Sequence, residues 1–218
     1  MSSITAGMDP HVRTRLILAR HGQTDYNREA RLQGQVDIPL NAAGRKQAAR
    51  LAHAMTEHAP DLIVSSPLAR AHDTALEVGK ACGIDVTTDD ALLERGFGPW
   101  EGLRGEEIRS RWPKEHAAWR DHRAVPGLGI EDRPDVARRV AERCRELVAQ
   151  NTGATILVVG HGAATTLGIT ELLGLDTDTF RGIGGLQNCH RSVLEPLYAD
   201  PTGERMRLVS HNLAPDFI

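Results

Sequence analysis

Two histidines of this 218-residue chain follow directly on apolar runs: Leu16-Ile17-Leu18-Ala19 leads into Arg20-His21-Gly22, and Thr155 to Val159 leads through Gly160 into His161-Gly162. Ser65-Ser66 follows a third run, Leu62-Ile63-Val64, and continues to Arg70, while Glu94 stands a few residues past a weaker fourth, Ile84 to Thr87. Two His, two Arg and one Glu gathered together make a cationic pocket with a single carboxylate, which suits a phosphate dianion and one proton donor. Each taken singly has a plainer reading. A histidine near a strand end is more often a hydrogen-bonded structural residue, an arginine more often a surface or ion-pair residue. What argues for chemistry is their recurrence at successive strand ends, where independent surface residues have no reason to gather.

The elements that must position them alternate strand and helix. Each apolar run reads as a buried parallel strand. Asn41 can cap a helix that carries Ala48, Leu51, Ala52 and Met55 on one face until Pro60 stops it. Ser66-Pro67 reads as a cap and first helical position for a second helix, with Leu68, Ala71, Ala75 and Val78 inward until Gly83. Asp135 opens a third, carrying Val136, Val140, Cys144, Leu147 and Val148, and a fourth runs through Leu172. Arg191 to Leu197 and Arg205 to Val209 look like two closing strands, a hairpin around Asp200-Pro201-Thr202-Gly203. This pattern predicts an α/β fold, a three-layer α/β/α sandwich with a mostly parallel central sheet, whose ligands bind beyond the carboxyl ends of the strands. Residues 1–14 read as a flexible tail and 15–218 as a single domain. About 95–131 breaks into Gly, Pro, Trp and charge and reads as a lid-like segment of loop and short helix.

Composition narrows the function. Apolar residues at 40% and charged residues at 25% are ordinary for a globular protein. A net charge of -3 gives no general attraction to nucleic acid or an anionic membrane, so a bound anion must be held by locally converging Arg and His. Cys82, Cys144 and Cys189 are an odd number without metal-ligand spacing, and no apolar run approaches a membrane span, so a cytoplasmic protein is expected.

Arg20-His21-Gly22-Gln23-Thr24-Asp25-Tyr26-Asn27 resembles the opening signature of the histidine phosphatase, or phosphoglycerate mutase-like, superfamily. Leu40 to Ala48, Ser65-Ser66-Pro67-Leu68-Ala69-Arg70-Ala71, Leu93 to Gly102 and Val158-Val159-Gly160-His161-Gly162 are similar to its later motifs, in the same order over about residues 15 to 175. The chain departs from the pattern where Gly160 stands in place of the usual Ser or Thr and Ala163 in place of a second Gly, and Gly129-Ile130-Glu131 stands near the usual Gly-Glu-Ser.

The resemblance implies a phosphoglycerate mutase-like fold and assigns roles. His21 would attack phosphorus and form a phosphohistidine. Arg20, Arg70, Asn27, His161 and Gly162 would hold the phosphate, with the arginines in place of a metal, so neither metal nor cofactor is expected. Glu94 would protonate the leaving alcohol, which requires it to carry a proton when substrate is bound. The stretch from Leu103 to Glu131 lacks the longer insertion by which mutases exclude water, which favours hydrolysis. Arg31 to Asp37 makes the chain most similar to the bacterial glucosyl-3-phosphoglycerate phosphatases. That implies a small phosphorylated glycerate or sugar acid as substrate, possible substrate contacts at Gln33, Gly34 and Gln35, and a homodimer. The alternatives are mutase-type phosphoryl transfer and a non-catalytic phospho-ligand-binding protein. Trp100, Trp112 and Trp119 read as packing under the lid-like segment, with one reaching substrate. Arg104, Arg109, Arg111, Arg120 and Arg123 read as a solvated face in preference to a site for a second anion.

Overall fold

The computed structural model describes residues 13–121, 123–197, 200 and 204–215. The expected N-terminal tail lies outside them, apart from residues 13 and 14. Strands β1 (Arg15–Arg20), β2 (Leu62–Ser65), β3 (Val86–Thr88), β4 (Thr155–Gly160), β5 (Arg191–Pro196) and β6 (Met206–Leu213) form one sheet in the order β3-β2-β4-β1-β5-β6. The first four are parallel; β5 and β6 run antiparallel at one side.

Period-two alternation along the central strands builds the three layers. Ile17, Ala19, Ile63, Leu157 and Val159 bury one face against α2 (Ala42–His58) and α3 (Ala69–Cys82). Leu16, Leu18, Val64, Ile156 and Val158 bury the other against α6 (Arg133–Gln150) and α7 (Gly162–Leu172). Each such large side chain contributes roughly 1.5–3 kcal/mol by leaving water. Truncating the fully buried Leu157 to Ala would cost about 2–5 kcal/mol through the cavity it leaves.

The helix ends differ from expectation in informative ways. Asn41 caps α2 through its Oδ1, which accepts from Gly44 N at 2.9 Å, and Ala59 closes the helix in the left-handed region. The second helix, however, starts at Ala69 and not at Pro67. The cap comes from a distant loop, where Asp37 Oδ1 accepts from Ala69 N at 2.8 Å, and Ser66 is released for another partner. Helix α6 begins two residues ahead of the expected Asp135, because Pro134 fits the first turn. The four-residue helix α1 (Asp25–Arg28), started by a Thr24/Asn27 capping box, was too short for periodicity to reveal. The last strand runs on to Leu213, beyond the expected Val209, and Pro201, Thr202 and Gly203 of the expected turn lie outside the described residues.

Between residues 95 and 131 the chain forms a 3-10 turn at Gly98–Trp100 and the short helices α4 (Gly105–Arg111) and α5 (Pro113–Arg120). Phe97, Trp100, Ile108 and Val125 give this segment its own apolar centre. Trp100 is fully buried and meets Trp119 edge to face at 5.9 Å. Among the described residues no helix is long and apolar enough to cross a membrane.

Candidate active site

Adjacent strands bring the histidine loops together. Strand β4 lies between β1 and β2, with Arg20 opposite Gly160 and Ser65 opposite Val159, so three neighbouring strands end at one level. The backbone continues the ladder one step: His21 N donates to Gly160 O and Ser66 N to Val159 O, both at 3.0 Å. The His21 and His161 rings consequently sit 5.3 Å apart, edge to face.

Both rings are buried and both are held neutral. Burial, and then the Arg20 and Arg70 guanidinium charges, push His21 well below its ordinary value of 6.5. Burial and the Arg70 charge do the same to His161. His21 Nδ1 lies 2.6 Å from Gly22 O, a carbonyl that can only accept. The proton of the neutral ring is therefore on Nδ1, and Nε2 keeps its lone pair. For His161, Nε2 is 2.8 Å from Ser66 Oγ, which itself accepts from Leu68 N at 3.4 Å. With the Ser66 hydroxyl donating to Nε2, the ring proton falls on Nδ1, a buried atom without a partner among the described residues.

The arginines are fixed by carbonyls that leave their inner edges open. Arg20 Nη1 donates to Leu186 O at 2.8 Å, and Arg70 Nη1 and Nη2 donate to Val36 O and Gly34 O at 2.8 and 2.7 Å. In each the buried Nε has no partner among the described residues. Burial draws Arg70 down to about 10 and also lowers Arg20, while the nearby Glu94 charge works in the opposite direction on both. Three orphaned buried donors, Arg20 Nε, Arg70 Nε and His161 Nδ1, are costly unless a ligand with several acceptor oxygens satisfies them.

Glu94, only 8% exposed, spans from the acid motif to the start of α7. Its Oε1 accepts from Arg95 N and Ala164 N at 2.8 Å, and its Oε2 from Gly162 N and Ala163 N at 3.1 Å. Arg139 of α6 clamps the segment from behind, donating to the carbonyls of Ala91, Leu93 and Glu94 while pairing in fork fashion with Glu131.

The remaining expected residues are placed as follows. Asn27 turns its Oδ1 to Thr24 N, Thr24 Oγ1 and Asn188 Nδ2, and among the described residues nothing bonds its Nδ2. The side chain of Gln33 accepts from Thr24 Oγ1 at 2.7 Å. Gly34 supplies its carbonyl to Arg70, at φ +53 and so close to Glu101 that a Cβ would fall 2.0 Å from Oε1. Gln35 Nε2 donates to Glu94 O at 3.0 Å. Gly34 thus supports Arg70 and Gln35 the Glu94 segment from outside, while Gln33 braces the Thr24 turn. The Gly162 amide is engaged by Glu94. Three supporting residues were given no role at the site from sequence: Ser66, Arg139, and Asn188, whose Nδ2 donates to His21 O at 3.0 Å. Ser66 gave a signal, a hydroxyl in a strand-end loop just before Pro67, and it pointed to capping. The basic run divides: Arg104 and Arg111 lie within 4.0 Å of Glu29 and Glu107 respectively, whereas Arg120 and Arg123 line a cavity.

An open α/β sheet carrying two neutral histidines and three unsatisfied donors at its carboxyl edge defines a protein built around an oxyanion. A model of the histidine phosphatase superfamily (branch 1) matches residues 16–212, and the chain belongs to that family. Glucosyl-3-phosphoglycerate phosphatase of Mycolicibacterium vanbaalenii is 40% identical over 181 residues, 80% of each chain. Phosphoserine phosphatase 1 of Hydrogenobacter thermophilus is 33% identical over 171 residues, 78% of this chain and 81% of its own. The solved mycobacterial glucosyl-3-phosphoglycerate phosphatase in complex with VO3 superimposes with a TM-score of 0.83 at 36% identity, covering 92% of this chain and 99% of that one.

Proposed function

We propose that the chain hydrolyses small phosphomonoesters through a phosphohistidine at His21. The observation that carries this is the pairing of an unprotonated His21 Nε2 with three orphaned donors in one pocket. Nε2 attacks phosphorus in line, the N–P bond forms as the ester P–O bond breaks, and Glu94 gives its proton to the departing oxygen. Water then attacks the phosphohistidine, its proton passes to Glu94, and the N–P bond breaks to release phosphate. Throughout, Arg20 Nε, Arg70 Nε, His161 Nδ1 and Asn27 Nδ2 donate to the transferring oxygens, whose charge rises in the transition state. The four backbone N–H groups on Glu94 fill all the lone-pair positions of a carboxylate. Proton uptake must displace one of them, and the longer 3.1 Å bonds at Oε2 mark where it enters.

Likeness to glucosyl-3-phosphoglycerate phosphatases supports a phosphorylated glycerate or sugar acid as substrate, with glucosyl-3-phosphoglycerate the first to test. We also propose a cytoplasmic homodimer; the free Cys82, Cys144 and Cys189 suit a reducing compartment, and light scattering tests the assembly. The activity is tested by phosphate release from a panel of phosphorylated acids and sugars with His21→Ala beside the wild type. Release lost in the variant supports the reading. Tight phosphate binding without release refutes hydrolysis, and transfer to a glycerate acceptor in place of water shows a mutase.

A further inference from the structure

In-line attack requires His21 Nε2 to meet phosphorus while Arg70 and Asn27 hold its oxygens, and the peptide bond between His21 and Gly22 fixes that mutual geometry. At its N–H end, Gly22 N donates to Thr74 Oγ1 at 3.1 Å. Thr74 is fully buried in α3, and its hydroxyl donates in turn to Arg70 O, one helical turn back, at 2.7 Å. A hydroxyl inside a helix commonly bonds backwards in this way. With its single proton committed there, Oγ1 can only accept from Gly22, so the loop of the nucleophile is tied to the helical turn that carries Arg70.

At the C=O end, His21 O accepts from Asn188 Nδ2 at 3.0 Å and from Cys189 N at 3.3 Å, which fills both lone pairs. A carbonyl can only accept, so the Asn188 amide has one orientation, and its Nδ2 also reaches Asn27 Oδ1 at 3.2 Å. Asn27 thereby turns its oxygen to Asn188 and keeps its own Nδ2 for the transferring phosphoryl group. The turn that delivers these donors holds Cys189 in the left-handed region at φ +58, a costly conformation for a residue with a Cβ that persists only where its surroundings fix it. Alongside, Gly22 packs on α2 so closely that a Cβ would fall 2.5 Å from Gly44 O. The peptide is held at both ends and along its side.

We propose that Thr74 and Asn188 are positioning residues for the covalent step: by gripping the two ends of the His21–Gly22 peptide, they register the nucleophile against Arg70 on one side and Asn27 on the other. This rests on the phosphatase reading above and adds to it two residues that act only through others.

The test separates attack from binding. In rapid-quench single turnovers with a ³²P-labelled phosphomonoester, the rate of His21 phosphorylation is expected to fall roughly 10- to 100-fold in Thr74→Val, which keeps the volume and removes the hydroxyl, and in Asn188→Ala; this is the scale set by a small misplacement of a reacting atom. Thr74→Ser restores the acceptor and is expected to recover most of the rate. Calorimetric affinity for inorganic phosphate should stay near that of the wild type in Thr74→Val, because the arginine donors are untouched. In the double variant the loss is expected to fall short of the product of the single losses, since both residues act through one peptide, whereas two independent packing defects would multiply. Rates near wild type in both single variants, a Thr74→Ser as slow as Thr74→Val, or phosphate affinity that falls in step with the rate overturns the proposal and leaves the phosphatase reading standing. If Thr74→Val does not fold, the half-buried Asn188 decides: a slowed Asn188→Ala supports the proposal and an unchanged one overturns it. A wild type that leaves no label on His21 refutes the phosphatase reading and the proposal with it.

Discussion

Replacing Glu94 by Gln separates the anchoring of this side chain from its chemistry. The carboxylate accepts from Arg95 and Ala164 at 2.8 Å on one oxygen and from Gly162 and Ala163 at 3.1 Å on the other. Glutamine fills the same volume but has one acceptor oxygen, so in either orientation two backbone N–H groups face an amino group that cannot accept. Hydrogen bonds to a charged group contribute about 1.5–3 kcal/mol each, so losing two costs about 3–6 kcal/mol. Removing a negative charge from the start of α7 adds roughly 0.3–2 kcal/mol. Even the lower figure is a large part of the ~5–15 kcal/mol by which domains are stable. With a slope near 3 kcal/mol/M, the combined loss should lower the urea midpoint by about 1–3 M. A loss below about 1 kcal/mol would refute the anchoring argument. The chemical role is read in mild conditions by comparing an alkyl phosphate with p-nitrophenyl phosphate, whose leaving group needs no proton. Loss of a general acid should cost about 10²–10⁴-fold on the alkyl ester and far less on the aryl ester, and equal losses on both would contradict the proton-donor role.

Three further outcomes are expected. His21 and His161 titrate below their ordinary 6.5 in the folded protein, so as pH falls the unfolded chain takes up protons first. Stability is complete above about 6.5 and is lost from there down to the folded-state values, at up to about 1.4 kcal/mol per pH unit for each ring. Urea midpoints measured from about pH 7.5 downward should fall accordingly, and a flat profile would contradict neutral buried rings. Gly34→Ala places a Cβ 2.0 Å from Glu101 Oε1 at a φ of +53, and displacing the loop removes the carbonyl that holds Arg70. It should destabilise by roughly 1–3 kcal/mol and weaken phosphate binding, as calorimetry would show. Ser66→Ala removes the hydroxyl that fixes the His161 tautomer. A loss of about tenfold in kcat with little change in KM is expected, together with mixed tautomers in the imidazole ¹⁵N spectrum; an unchanged spectrum would refute the positioning role.

The fold was legible wherever one periodicity dominated. Central strands such as Leu16-Ile17-Leu18-Ala19 are apolar on both faces because helices cover both, and a continuous apolar run records that directly. His21, Arg70, Glu94 and His161 could be placed at one edge because parallel topology fixes where strand ends meet. What sequence concealed was long-range pairing. Nothing local shows that Asp37 caps α3, that Arg139 holds the carbonyls before Glu94, or that Ser66 faces His161 across 95 residues. The basic run was equally ambiguous, since the same residue type pairs with Glu107 at Arg111 and lines a cavity at Arg120.

The central claim is the covalent step at His21, and trapping it is its most direct test. The protein is mixed with a ³²P-labelled phosphomonoester, quenched in alkali and digested, and the label is located by peptide mapping. The account predicts an acid-labile, base-stable phosphoramidate on the peptide carrying His21, absent in His21→Ala. Label on a serine or aspartate, or on His161 with His21 unmodified, would contradict it.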